Sequence, residues 1–270
     1  MSQPDRLRSL DLVDVLDWTN DALARVNQDA FFKRFDEGEA VQYFYEPFLE
    51  AFDPELREDF GVWYTPIEVV QYMVARVDRA LKDDLGIAKG LAGENVYILD
   101  PCCGTGAYLV EVLRRIEANL RERGEGALTG AQVKQAVTER VYGFEIMLAP
   151  LVIAHLQVGL EMQKLGSPLD DEEESANIFL TNALTRLEPG KTIPLPGFPA
   201  LERERERADE VKQAKPILVI LGNPPYDGYA GVAEEQEERE LTNAYRAVKR
   251  VRPLEGQGLN DLYVRFFRMA

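Results

Sequence analysis

Val96-Tyr97-Ile98-Leu99-Asp100-Pro101-Cys102-Cys103-Gly104-Thr105-Gly106 is an apolar run that breaks into a proline, cysteine and glycine turn. The residues that follow, 107–123 (AYLVEVLRRIEANLRER), carry apolar side chains at the three- and four-residue spacing of a helix. Strand, glycine-rich turn and helix in that order open a Rossmann-like unit. Glycines let a backbone pass close to a ligand, and the first turn of a helix favours negative charge. The turn is neither GxGxxG nor a P-loop ending in GK[ST], which argues against a dinucleotide or a nucleoside triphosphate. Cys102 and Cys103 read most simply as small residues in a tight turn, since no histidine partner stands near them in sequence.

Upstream, Gly61-Val62-Trp63-Tyr64-Thr65-Pro66 leads into IEVVQYMVARVDRAL. Thr65 reads as an N-cap, Pro66 as the first helical residue and Glu68 as the partner that completes a capping box. A well-capped helix accounts for this pattern. A functional reading would have the exposed amides and the Thr65 hydroxyl hold an anion such as a carboxylate. Residues 1–60, with LDLVDVLDWTNDALARV and QYFYEPFLEAF, read as a helical subdomain whose aromatics serve as core.

Downstream, Val141-Tyr142-Gly143-Phe144 reads as a second strand ending in Glu145. An acidic residue there commonly accepts hydrogen bonds from ribose hydroxyls, though its distance from Gly104 is about twice the usual ~20 residues. The helix APLVIAHLQVGLEMQKLG carries the only histidine, His155, which reads as a packed side chain rather than a general base. A third strand, Asn177 to Thr181, ends at Asn182, and a charged helix, LERERERADEVKQAK, returns the chain to Ile217-Leu218-Val219-Ile220-Leu221-Gly222. That last run reads as a buried strand. It opens into Asn223-Pro224-Pro225-Tyr226, where the two prolines fix φ and remove two backbone donors. An amide, a rigid carbonyl and a ring held together suit a flat polar ligand such as a nucleobase.

The order β-α-β-α-β-(loop, α)-β predicts a parallel sheet of four strands, with the strands before Asp100 and before Asn223 adjacent. Ligand then binds where the loops of these neighbours diverge. LTNAYRAVKRV and LNDLYVRFFRMA read as helices, and a fifth strand is expected after them. The sheet therefore reads as incomplete, and residues 61–270 as a core truncated before its C-terminal strands.

Bulk properties narrow the class. The chain has 270 residues, with 46% hydrophobic and 29% charged, as in an ordinary soluble globular protein. No apolar run approaches the roughly 20 residues of a membrane span, and MSQPDRLRSL holds no apolar signal region. The chain reads as cytoplasmic, with no membrane partner. Two adjacent cysteines suggest neither a disulfide framework nor a metal site. The net charge is −16, awkward for phosphate contacts. Glu234-Glu235 and Glu237-Glu238, like Asp170 to Glu174, read as solvated surface.

Taken together, Tyr64-Thr65-Pro66, Asp100-Pro101-Cys102-Cys103-Gly104-Thr105-Gly106 and Asn223-Pro224-Pro225-Tyr226, in this order, resemble the motifs of gamma-class S-adenosylmethionine-dependent N6-adenine DNA methyltransferases. Tyr142 to Glu145, Ala149-Pro150, Ile153 to Leu156 and Leu180 to Asn182 resemble more closely the methyltransferase part of Type ISP restriction-modification and related phage-defence enzymes. The resemblance covers about residues 40–270. Asn-Pro-Pro-Tyr alone is shared with protein-glutamine methyltransferases, whereas the ordered set is specific.

The resemblance implies a class I methyltransferase fold and S-adenosyl-L-methionine as cofactor. Tyr64 and Thr65 would hold its methionine moiety, and Asp100, Pro101, Cys102, Gly104 and Gly106 its main binding loop. Glu145 would take the ribose hydroxyls, Ile146 would lie against the adenine, and Asn182, where the family often has aspartate, would read the adenine amino group. Asn223, Pro224, Pro225 and Tyr226 would form the catalytic loop. The Asn223 oxygen and the Pro224 carbonyl would accept the two hydrogens of an adenine amine, and Tyr226 would stack on a base flipped out of double-stranded DNA. Further strands, a second aromatic wall and a target-recognition domain are expected from parts absent here, so the chain alone is expected to be inactive, with DNA engaged through those parts. The alternatives are methyl transfer to a protein glutamine or an RNA base, and a non-catalytic cofactor-binding role.

Overall fold

A computed structural model of the chain describes residues 65–169, 174–185, 199–225, 236–246 and 261–270, with residue 25 besides. The expected helical subdomain at 1–60 and the side chains of Tyr64 and Tyr226 lie outside the described residues.

The first helix, α1, runs Ile67–Asp83 and leads through a single 3-10 turn to β1, Tyr97–Asp100. Then follow α2 (Ala107–Glu122), α3 (Thr129–Glu139), β2 (Val141–Glu145), α4 (Leu148–Lys164) and β3 (Asn177–Leu180). The last elements are α5 (Pro199–Ala214), β4 (Ile217–Ile220), α6 (Gln236–Arg246) and α7 (Leu262–Met269). The four strands form one parallel sheet in the order β3-β2-β1-β4. This is the expected Rossmann-like α/β sheet, with β1 and β4 adjacent. No helix among the described residues is long and apolar enough to cross a membrane.

Successive strand residues point to opposite faces of a sheet, and here helices pack on both faces, with one face left open at β4. Ile98, Val141, Ile178 and Val219 face a core built with Val70 and Val74 of α1, Leu113 and Ile116 of α2, and Val158 and Met162 of α4. Leu99, Tyr142, Phe144 and Phe179 face the other way, against Ala208 and Val211 of α5, with Phe266 and Met269 of α7 alongside. Near-continuous apolar runs are the mark of a parallel sheet covered on both sides. At roughly 1.5–3 kcal/mol for each fully buried large side chain, these two layers are the main force holding the strand ends in register.

Two sequence expectations fail here. β4 is not a fully buried strand: it stands at one end of the described sheet, and Leu218 and Ile220 are 47% and 38% exposed. Thr65 does not cap α1. The N-cap position is Pro66, and no side chain caps the helix start, which relies on the Pro66 carbonyl accepting from Val69 and Val70. Capping patterns are local, and the Thr65 hydroxyl finds its partner elsewhere.

Candidate active site

The loops at the carboxyl ends of all four strands meet. The Leu221 N–H donates to the Leu99 carbonyl at 3.0 Å and extends the β1–β4 ladder by one step. This brings Gly222 and Asn223 beside the turn that follows Asp100. A side chain on Gly222 would collide with the Asp100 carboxylate, its Cβ only 2.4 Å from Oδ1, so glycine suits this close approach. The Cys103 N–H donates to the Phe144 carbonyl at 2.9 Å, and the Thr181 N–H to the Glu145 carbonyl at 2.8 Å. These two bonds tie the β1 loop to the end of β2, and the end of β2 to that of β3. The strand order reverses at β1, whose loop therefore opens the crevice expected of such sheets.

Within the β1 loop, Gly104 and Gly106 take φ of +54° and +90°, a left-handed conformation that favours glycine. Gly106 packs on Ala154 of α4, whereas Gly104 faces open space. The loop is also braced by Gln157 of α4, whose side-chain amide donates to the Thr105 carbonyl at 2.8 Å. Pro101 and Cys103 are buried, and Cys102 is half-buried. Burial, with the nearby Asp100 and Glu145 charges, pushes both cysteine thiols well above their ordinary range. That suits packing rather than nucleophilic attack.

Asp100 is buried, and its Oδ1 accepts from the Cys102 N–H at 3.1 Å. Its Oδ2 is buried with no hydrogen-bond partner. Burial pushes its carboxyl up to about 7; the Cys102 N–H opposes this and the Glu145 charge adds to it. Glu145, also buried, accepts from the Gly104 N–H at 2.9 Å through Oε2, and from the Ile146 and Met147 N–H groups at 2.9 and 2.8 Å through Oε1. Burial raises its pKa, and these three backbone donors pull it back. Three of about four carboxylate lone-pair sites are thus used within the fold, leaving room for one more donor. Beside it Ile146 is 52% exposed, an apolar surface with no cover from the described core.

Asn182, just beyond the end of β3, is held by both ends of its amide. Its Oδ1 accepts from the Leu184 N–H at 2.9 Å, and its Nδ2 donates to Glu238 at 3.0 Å. Glu238 in turn pairs with Arg265 at 3.1 Å, both nearly buried. The expectation that the Glu237-Glu238 run is solvated surface is therefore wrong for Glu238, because α7 brings a guanidinium to it. Lys212 of α5 clamps the same loop, donating to Thr181 Oγ1 and to the Asn182 and Thr185 carbonyls at 2.7–2.8 Å. No local pattern in the sequence points to Lys212, Glu238 or Arg265, whose partners lie on distant segments. His155 is a packed side chain whose ring nitrogen lies 3.0 Å from the Ile178 carbonyl.

Asn223 Nδ2 donates to Thr65 Oγ1 at 3.0 Å, joining the loop after β4 to the residue before Pro66. Asn223, Pro224 and Pro225 are all partly accessible at the rim of the crevice. The structure thus gathers Thr65, Asp100, Cys102, Gly104, Glu145, Ile146, Asn182 and Asn223 at one end of the sheet. Among the described residues, no group of three or more His, Cys, Asp or Glu side chains is arranged to hold a metal ion.

This arrangement has relatives. The sequence profile of N-6 DNA methylases matches residues 37–255. The chain belongs to the N-6 DNA methylase family. It is similar to the methylase subunit of the Type I restriction enzyme EcoEI of Escherichia coli, at 26% identity over 166 residues. That match covers 60% of this chain and 31% of the subunit. Among solved structures it is similar to a nuclease-deletion mutant of the Type ISP restriction-modification enzyme LlaGI in complex with a DNA substrate mimic. There the TM-score is 0.67 at 26% identity, over 87% of this chain and 18% of that one. The ATP-dependent Type ISP enzyme LlaBIII bound to DNA matches with TM-score 0.60 and 28% identity, over 76% of this chain and 14% of that one. A DrdV–DNA complex matches the whole chain with TM-score 0.62 and 25% identity, over 24% of the larger chain. This N-6 DNA methylase chain spans about a third of the curated relative and less than a quarter of each of these structures.

Proposed function

We propose that the chain is the methyltransferase core of a restriction-modification or phage-defence enzyme that methylates the N6 amine of adenine in double-stranded DNA. In this reading residues 61–270 form the core and residues 1–60 a helical subdomain beside it. The observation that carries it is the position of Asn223, directly beyond the glycine that packs on Asp100, with its amide nitrogen already tied to Thr65.

The residues present fit S-adenosyl-L-methionine, which when bound supplies a methyl group on a positively charged sulfonium. The Asp100 Oδ2 is buried and lacks a partner, so a cationic ligand group would satisfy it. Open space above Gly104 suits close passage of a ligand over the backbone. Glu145 keeps a free acceptor site for a ribose hydroxyl, and Ile146 offers an apolar face to a purine. Tyr64 and Thr65 are assigned to the methionine end, with Pro101, Cys102 and Gly106 shaping the loop. Asn182 is assigned to the adenine end; its backbone is held by Lys212, and its amide is shared with Glu238.

An exocyclic adenine nitrogen is a poor nucleophile because its lone pair is delocalised into the ring. The Asn223 Oδ1 and the Pro224 carbonyl are assigned to accept its two hydrogens, which localises the lone pair and aims it. The contribution is one of position and electrostatics. The second proline keeps the carbonyl rigid, and Tyr226 is assigned to stack on the flipped base. With a net charge of −16, most phosphate contacts are assigned to other surfaces of the assembly.

The test is incubation with methyl-labelled S-adenosylmethionine and duplex DNA, followed by mass spectrometry of the nucleosides. N6-methyladenine formed by the wild-type sequence within an enzyme that supplies the further strands and the target-recognition domain, and reduced at least a hundredfold in Asn223→Ala, is expected. Label in cytosine, RNA or a protein glutamine would replace the reading with another acceptor.

A further inference from the structure

Thr65 and Asn223 stand 158 positions apart in two different motifs, yet their side chains are joined by a 3.0 Å hydrogen bond. An asparagine amide has a donating and an accepting end, and a half-turn about its last torsion exchanges them. The Thr65 hydroxyl can accept from Nδ2 or donate to Oδ1, so it anchors whichever end faces it; in the structure that end is Nδ2, and Oδ1 is turned away from it. The rest of the loop is already stiff, with Gly222 wedged on Asp100 and two prolines following Asn223. The amide torsion is the freedom that remains. The start of α1 makes no competing demand on the hydroxyl, because no side chain caps that helix.

We propose that Thr65 is a positioning residue for Asn223, anchoring its amide through Nδ2 and so leaving the oxygen free for the target amine. This rests on the reading of Asn223 as the acceptor for that amine. A reversed amide would set its two hydrogens against those of the amine, donor against donor. Sequence adjacency to Pro66 makes Thr65 look like part of a helix start; the structure instead gives it to the catalytic loop.

Thr65→Val removes the hydroxyl at nearly constant shape, and Thr65→Ser keeps it. The hydrogen bond is read directly by nuclear magnetic resonance of side-chain amides in the ¹⁵N-labelled chain, without substrate. The Asn223 pair is identified by its disappearance in Asn223→Ala. In the wild type and in Thr65→Ser, one Nδ2 proton is expected to be displaced from its free-amide position and slow to exchange. In Thr65→Val it should return towards that position while the backbone spectrum stays folded. A pair at free-amide positions and fast to exchange in the wild type, or an unchanged pair in Thr65→Val, overturns the proposal.

Methyl transfer at saturating cofactor, by the enzyme that carries the further parts, gives the second reading. Thr65→Val should lower kcat by about tenfold or more, Thr65→Ser should restore it, and Thr65→Val should add nothing to Asn223→Ala. Losses that multiply in the double variant overturn the positioning role. If the enzyme that carries the further parts methylates no adenine, the functional reading falls, and the amide spectrum still decides whether Thr65 anchors Asn223.

Discussion

At the scale of single residues, Asp100 is the most informative group in the site. Its carboxyl is pushed up to about 7 by burial, against an ordinary value of 3.8. Between about pH 4 and 7 the unfolded chain gives up this proton while the folded one keeps it, so the stability of the ligand-free protein falls over that range and levels off above it. A cation set beside Oδ2 reverses the balance, because it favours the carboxylate. Cofactor binding is therefore expected to tighten by about tenfold between pH 6 and pH 8, with proton release at pH 6. Calorimetry in buffers of different ionisation enthalpy measures both. In Asp100→Asn the pH dependence should vanish and the affinity fall. An affinity flat across pH 6–8 in the wild type would remove Asp100 from the cation site.

At the scale of elements, buried polar hubs bind helices to one another and to the loops. Asp78 of α1 is wholly buried, and it accepts from the Leu91 N–H at 2.9 Å, Asn119 at 2.6 Å, Arg115 at 2.9 Å and Lys82 at 2.9 Å. Burial alone would raise its pKa, but Lys82, the Leu91 amide, Asn119 and Arg115 together bring it below the ordinary value. Its contribution is thus complete above about pH 4 and is lost as pH falls further. Asp78→Ala, which strands these donors, should cost about 3 kcal/mol in urea unfolding at pH 7, and less at pH 3. Lys212 does the same for the loop after β3. Lys212→Met leaves a hydroxyl and two carbonyls to find new partners. It should cost about 2 kcal/mol and weaken cofactor binding through the Asn182 backbone, which calorimetry would read. Neither hub was legible in the sequence, because each draws partners from distant segments, 37 and 41 positions away for Arg115 and Asn119 at Asp78 and 27 or more for Lys212. The glycine turn and the strands were legible because their signals are local. Thr65 was misread for the converse reason: its local pattern fits a helix cap, while its partner is 158 positions away.

At the scale of the whole molecule, the four parallel strands and the adjacency of β1 and β4 followed from the order of apolar runs and the rules of chain connection. What those rules do not give is which strand faces are covered, since a continuous apolar run reads alike at the centre and the end of a sheet. β4 shows the difference within four residues. Val219 faces the core shared with α1, α2 and α4 and is 6% exposed, while its neighbours Leu218 and Ile220 are 47% and 38% exposed. The chain therefore has one well-packed sheet face at β4 and one open face on the same strand. Val219→Ala should destabilise the protein by roughly 1–3 kcal/mol, because it opens a cavity in the larger core. Leu218→Thr should stay within about 1 kcal/mol, because its side chain already meets solvent and threonine suits a strand. Both substitutions leave the backbone that carries Asn223 intact, so urea unfolding of the chain separates them cleanly. A Leu218→Thr loss as large as that of Val219→Ala would mean that the open face of β4 is buried in solution.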